Sequence, residues 1–194
     1  MRAASLDSDL QRRDFSINAM ALVLDRDQAH LLDPHGGQQD LRDRRLRVLH
    51  SQSFVDDPCR VWRALRFAAR LGLTREPRTA QWMDEALESG ALDTLSLERQ
   101  GAEIERCLLE PMREALITLG TQWGIWGRLS RDLRQPGALD ELAGLQVSSR
   151  SALSWLVLAS ALSRGERARL LRMVPGASDA RERWSRGDDR VRAV

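Results

Sequence analysis

Residues 56–70 read DDPCRVWRALRFAAR. At about 100° per residue, Val61, Ala64, Leu65, Ala68 and Leu71 share one helical face, and Arg60, Arg63, Arg66 and Arg70 gather on much of the opposite side. Asp57-Pro58 is a helix start, with an acceptor at the N-cap and proline at the first helical position. Gly72 is the matching stop. Downstream the same punctuation recurs. Pro77-Arg78-Thr79 opens a helix that ends near Ser89-Gly90, and Ser96 with Arg99 opens another that ends near Glu110-Pro111. Residues 112–129 continue as helix, weakened by Gly120, Gly124 and Gly127, and three further helices are expected at 140–145, 150–163 and 166–173. The fold class that follows is mainly α.

Upstream of this helix the pattern changes. Residues 9–18 suit a short helix. Two apolar runs, 19–24 and 29–33, flank the polar turn Asp25-Arg26-Asp27-Gln28 and predict a β-hairpin. Pro34 and the Gly36-Gly37 pair break the chain before a short helix at 38–44 and an extended piece at 46–49.

Composition narrows the class. The chain has 194 residues, 42% hydrophobic and 30% charged, which suits a soluble globular protein. The net charge of +2 provides no global field for nucleic acid. All 30 basic residues are arginine, so every positive charge carries a planar fork able to grip a phosphate or a base edge. Cys59 and Cys107 have no metal-ligand spacing and imply a reducing, cytoplasmic setting. No signal-peptide pattern opens the chain, and the longest apolar run, 152–162, is too short and too interrupted by serine to span a bilayer. Residues 175–194, rich in Arg, Asp, Ser and Gly, read as a disordered tail.

Two further strings carry chemistry. RRDFSINAM at 12–20 offers Arg13 as a phosphate clamp, Asp14 as an acceptor for a sugar hydroxyl, and Asn18 as both donor and acceptor. Taken alone, Arg12, Arg13 and Asp14 also suit a surface ion pair capping a helix. DPHGGQQDL at 33–41 supplies a flexible or tightly turned joint at Gly36 and Gly37, with Asp40 in a first helical turn and His35 in an exposed loop. In the third string Asp57 and Arg60, three apart at a helix start, present an acceptor and donors that complement the edge of cytosine or adenine, while guanine and uracil show the reverse order. Asp57 is equally an N-cap, and the arginine stripe equally a solvated face.

Together the three strings resemble those of the class II tRNA nucleotidyltransferases, the CCA-adding enzymes and bacterial poly(A) polymerases. Ser16 stands where that family usually has Thr, and Asp56 where it usually has Glu. The resemblance implies that Arg13, Asp14 and Asn18 touch the ribose and phosphates of an incoming nucleotide. It implies that Asp57 and Arg60 select ATP or CTP, with Arg63 and Arg66 assisting, and that Gly36 and Gly37 form a hinge. Ser96-Leu97-Glu98-Arg99 weakly resembles a fifth family motif, from which Gln100 and Gly101 depart. Trp123 and Trp126, near Arg128, are candidates for stacking on RNA and stronger candidates for core packing.

The implied organisation is a partial nucleotidyltransferase head at 1–50, a neck with the nucleotide-template helix at 51–110, an RNA-binding helical body at 111–174, and the tail. The implied ligands are ATP or CTP and the 3′ end of tRNA or another RNA, with no membrane partner. The family holds Mg²⁺ on a DxD pair behind a Gly-rich stretch. Asp7-Ser8-Asp9 and Asp25-Arg26-Asp27 have DxD form but lack that context, so no catalytic or metal-binding residue is identified. The expectation is therefore an RNA 3′-end nucleotidyltransferase in truncated form, the C-terminal portion of the family architecture, with a separate catalytic head segment as a possible partner. The alternative is a non-catalytic nucleotide- or RNA-binding remnant, or one part of a split enzyme.

Overall fold

The computed structural model describes residues 6–24, 28–145 and 151–174, the last with backbone only at 151–153. Two compact units result, Met1–Ala91 and Leu92–Val194. The expected boundaries at 50 and 110 do not coincide with this division. The segment expected as a head and the helix at 59–71 that follows it fall in one body, and backbone pairings join residues 44–46 to residues 74–76.

In the first unit, α1 (Leu6–Leu10) and a 3₁₀ turn (Ser16–Asn18) replace the single helix expected over 9–18. The chain is extended at Phe15, which bridges Val48 while Ser16 N–H donates to the Arg47 carbonyl at 3.0 Å. The hairpin forms as expected. β1 (Ala21–Leu24) and β2 (Ala29–Leu32) run antiparallel in a register of Ala21 opposite Leu32 and Leu24 opposite Ala29. Leu22 and Leu24 are 62% and 75% exposed, whereas Ile17 is buried. Then come α2 (Gly37–Arg42), β3 (Arg45–Leu46), α3 (Ser53–Asp56), α4 (Cys59–Leu71), β4 (Thr74–Arg75) and α5 (Pro77–Glu88). β3 and β4 pair in parallel across the connection that contains α4, an arrangement the sequence did not predict.

α4 buries Val61, Trp62, Ala64, Leu65, Ala68 and Ala69. Full burial of one large apolar side chain contributes about 1.5–3 kcal/mol, so this face is ample to hold the helix in place. Gly72, at φ 62°, ends α4 with its N–H on the Ala68 carbonyl. Arg44 donates to the Leu71 carbonyl at 2.7 Å and so serves the same helix end. α5 starts at Glu76, whose carboxylate accepts from Thr79 N–H at 2.9 Å.

The second unit is helical throughout its described residues. α6 (Leu97–Leu108) is capped by Ser96, whose hydroxyl accepts from Arg99 N–H. The helix expected over 112–129 is instead α7 (Arg113–Gln122) and α8 (Ile125–Leu129), separated by Gly124 at φ 70°. α9 (Asp140–Gly144), α10 (Ser151–Ser160) and α11 (Arg164–Leu171) follow. Gly101 has a packing reason: a Cβ there would lie 1.6 Å from the Met173 carbonyl oxygen. Two buried arginines close helix ends. Arg113 donates to the Leu108 and Leu145 carbonyls, and Arg167 donates to those of Ala159 and Leu162. The expectations for the turn at 25–27 and the tail at 175–194 lie outside the described residues.

Candidate functional site

The strings at 12–20 and 33–41 are joined through a buried charge. Asp40 is fully buried rather than a simple partner of the helix dipole. Its carboxylate accepts from the Ser16 hydroxyl at 2.6 Å and from Arg47 Nε and Nη2 at 2.8 and 2.6 Å. The two glycines make this junction a tightly turned joint. Gly36 takes the left-handed conformation (φ 71°), and a Cβ on Gly37 would come within 2.3 Å of the Ser16 carbonyl oxygen. Asp33 fastens the same turn by accepting from Gly37 and Gln38 N–H at 2.7 and 2.9 Å. His35 is half-buried rather than exposed.

A cleft of about 510 Å³ opens between this segment and α4, lined by Arg12, Arg13, Asp14, Asn18, Asp57, Arg60, Arg63 and Phe67. Six of the seven expected nucleotide-contacting residues therefore meet at one site. Arg66 does not line it. From Arg63, three residues carry the helix about 60° short of a full turn, whereas four carry it about 40° past, and the latter rotation puts Phe67 on the cleft wall. Arg12 and Phe67 are the residues that sequence reasoning missed. An i,i+4 Arg–Phe pair on the polar side of α4 was the available signal for Phe67.

The inner wall is a chain of contacts. Asp14 is 7% exposed. Its Oδ1 accepts from Phe15 N–H at 2.9 Å and Asn18 Nδ2 at 3.0 Å, and its Oδ2 meets Arg63 Nε at 2.7 Å and Nη2 at 2.5 Å. The Arg63 guanidinium also lies over the Phe67 ring, 5.6 Å from its centroid, and Phe67 meets Phe15 edge-to-face at 5.8 Å. Asp57 Oδ1 accepts from Cys59 N–H at 3.3 Å, the contact expected of a helix cap. Arg60 donates to the carbonyls of Ser53 and Arg12, both at 3.3 Å, and so spans the cleft. Arg13 pairs with Asp9 at 2.6 Å and remains half exposed. Four guanidinium groups face two carboxylates, which makes the cleft receptive to an anion. In the second unit, Trp126 is fully buried with Nε1 donating to the Ile117 carbonyl, so it is a core residue and not a stacking platform.

The first unit thus sets an arginine-lined cleft beside the N-terminal half of α4. The family model described as the poly(A) polymerase head domain matches residues 1–47. Over 116 residues the chain is 46% identical to the multifunctional CCA protein of Pseudomonas fluorescens (strain Pf0-1), covering 58% of this chain and 27% of that protein. It is 40% identical over 133 residues to the multifunctional CCA protein of Cupriavidus pinatubonensis, covering 66% and 32%. Among solved structures, a tRNA nucleotidyltransferase complexed with a primer tRNA and an incoming ATP analogue aligns at TM-score 0.76 and 30% identity, over 98% of this chain and 60% of that one. A tRNA-processing enzyme with CTP aligns at TM-score 0.76 and 31% identity, over 98% and 56%. These matches make the chain similar to the tRNA nucleotidyltransferase and poly(A) polymerase family. It spans about a quarter to a third of the length of these curated relatives. Among the described residues, no helix is long and apolar enough to cross a membrane.

Proposed function

We propose that this chain selects ATP or CTP and holds an RNA 3′ end for nucleotidyl transfer to tRNA, the transfer chemistry being supplied by carboxylates of a head segment outside these residues. The observation that carries the proposal is the convergence of Arg13, Asp14, Asn18, Asp57, Arg60 and Arg63 on one cleft from two strings far apart in sequence. The solved relatives that hold CTP and an ATP analogue with primer tRNA support the same choice of ligands. In this reading Arg12 and Arg13 meet phosphates, and Asp57 and Arg60 meet the base edge. Arg60 lies close enough to its two carbonyl partners to be held in place, yet at 3.3 Å those bonds are long, so exchanging one for a base acceptor costs little.

Magnesium, which the family resemblance implies for the transfer step, does not fit this cleft. The Asp14 carboxylate is taken up by four nitrogen contacts, Asp57 already caps α4, and guanidinium groups outnumber carboxylates. The chain's own residues are assigned only to binding and orientation.

Equilibrium binding of ATP, CTP, GTP and UTP to the 194-residue chain tests the proposal. Wild type should prefer ATP and CTP. An unpaired base edge costs about 1–3 kcal/mol, so Asp57→Ala or Arg60→Ala should erase that preference by lowering ATP and CTP roughly 5- to 150-fold. Arg13→Ala should weaken all four alike. Equal affinity for the four nucleotides in wild type, or a preference untouched in the Asp57 and Arg60 variants, would reduce the pair to a helix cap and a surface charge.

A further inference from the structure

The four cleft arginines are held in two different ways. Arg60 and Arg63 rest on fixed parts of the wall: the carbonyls of Ser53 and Arg12, and the carboxylate of Asp14. Arg12 and Arg13 are turned onto α1 instead. Arg13 Nη2 donates to Asp9 Oδ2 at 2.6 Å. Arg12 sets its Nη2 3.6 Å from Asp9 Oδ1 and donates from Nε to the Ser8 carbonyl at 3.1 Å. Asp9 precedes the buried Leu10, which anchors the end of α1, yet Asp9 is not among the residues that line the cleft. Its carboxylate therefore engages two cleft arginines from outside the cleft. All three side chains are open to water, at 43% exposure for Asp9, 68% for Arg12 and 52% for Arg13. An ion pair in that setting is weak and exchanges readily. A carboxylate and a phosphate both offer a pair of oxygens to a guanidinium fork, so the two compete for it.

We propose that Asp9 is a built-in competitor for the phosphates of the ligand. It occupies Arg13, and more loosely Arg12, until a polyphosphate displaces it. The proposal rests on the reading in which these two arginines meet phosphates, and it adds the contact that opposes them. Asp14 does not share this part, because it is nearly buried and held by fixed donors. Competition of this kind acts on charge. It lowers the affinity for any ligand whose phosphates reach Arg13, and it leaves a ligand without phosphates untouched. It also gives the two adjacent guanidinium groups a partner to return to, so a polyphosphate departs without leaving like charges side by side. The exposure of the pair sets the size of the effect at roughly 1.5- to 5-fold in affinity. The opposite role, in which Asp9 aims Arg13 at the ligand, has the opposite sign.

The test measures binding of tripolyphosphate, ATP and adenosine to the full chain in wild type, Asp9→Asn, Asp9→Glu and Asp7→Asn. Asp7 is exposed on the same helix, and its side chain has no arginine partner among the described residues. Asp7→Asn therefore removes an equal charge without the contact and reads the general field. Asp9→Asn should bind tripolyphosphate and ATP roughly 1.5- to 5-fold more tightly than Asp7→Asn does, and adenosine as wild type does. Asp9→Glu keeps the charge and should bind all three like wild type. In a chain that carries both Arg12→Ala and Arg13→Ala, the gain from Asp9→Asn over Asp7→Asn should vanish. Tripolyphosphate affinity in Asp9→Asn equal to that of Asp7→Asn overturns the proposal. A lowered affinity overturns it as well and makes Asp9 the residue that aims Arg13. A gain that extends to adenosine also overturns it, since it would then come from the fold. A gain on tripolyphosphate in a chain that binds no ATP supports the competition and overturns the nucleotide reading. Absence of tripolyphosphate binding in both wild type and Asp9→Asn overturns the two together.

Discussion

Deleting the guanidinium of Arg63 should cost the first unit about 2 kcal/mol. The figure follows from what the side chain holds. Asp14 is nearly buried and meets Arg63 Nε and Nη2 at 2.7 and 2.5 Å. Removing one partner of a fully buried ion pair costs about 3–5 kcal/mol, because the other charge is stranded. Here the Arg63 side chain is 38% exposed, and Asp14 keeps its bonds from Phe15 N–H and Asn18 Nδ2, so water and those donors recover part of the loss. Loss of the cation–π contact on Phe67 adds back about 0.5–1 kcal/mol. Native-state hydrogen exchange of the α4 amides and of Ser16 N–H reads this unit directly. In Arg63→Ala these amides should exchange roughly thirtyfold faster, the rate equivalent of about 2 kcal/mol. In an Asp14→Asn background the same substitution should cost about 1 kcal/mol less, since no charge is left to strand. A penalty below about 0.5 kcal/mol, or one unchanged in that background, would show that the pair is a surface contact and not the brace between the RRD segment and α4.

Other outcomes follow from close approach and from charge. Gly37→Ala sets a Cβ 2.3 Å from a backbone oxygen that cannot rotate away, and should destabilise the unit by about 1–3 kcal/mol; an unchanged denaturation midpoint would mean that the joint yields. Gly101→Ala should also destabilise, by about 2 kcal/mol or more in thermal melting. The gain of about 1 kcal/mol in helix propensity is too small to offset a Cβ 1.6 Å from the Met173 oxygen, and a stabilised variant would refute the close approach. Acid should unfold the chain through Asp33, Glu76 and Asp132. Burial pushes Asp33 and Glu76 up, but backbone N–H donors (Gln38 and Gly37 for Asp33, Thr79 and Arg78 for Glu76) outweigh it, while the Ser163 N–H pulls Asp132 down. Each folded value lies below the ordinary 3.8 or 4.5, so the stabilisation is complete above those values and is lost as pH falls through the folded ones. Melting temperatures should therefore fall below about pH 4.5, and Asp33→Asn should shrink the fall; an equal fall in that variant would contradict this.

Much of this was legible in the sequence where a local rule acts alone. The apolar spacing of α4, its Gly72 stop and the hairpin around a polar turn each follow from a short window, and each formed. The cleft was legible because the strings at 12–20 and 56–70, singled out by their residue types, supply all of its lining. What escaped depended on contacts between windows. Strands β3 and β4 are two residues each, too short to show a period of two, and their parallel pairing needs a partner some thirty residues away. Asp40 reads as a dipole partner in sequence because Arg47 and Ser16, which bury it, lie on other elements. Gly101 looks like a mere weakness in a helix until Met173 arrives against it. Arg66 was misplaced because a stripe four residues wide does not say which of its members faces a cleft.

The residues that define the cleft also hold the first unit together, and this overlap decides which measurements can assign function. Arg60 ties Ser53 to Arg12, Arg63 ties α4 to Asp14, and Asp57 caps α4. Any of them, when replaced, lowers stability and binding together, so a drop in affinity for one nucleotide says little about contact. A ratio between two ligands is free of that ambiguity, because partial unfolding reduces both affinities by the same fraction. Preference of ATP over GTP therefore reads Asp57 and Arg60. A uniform loss across all ligands is what a structural brace such as the Arg63–Asp14 pair should produce. A changed ratio therefore marks base contact, whereas a uniform loss is shared by a phosphate contact such as Arg13 and by the scaffold, which melting of the same variants tells apart.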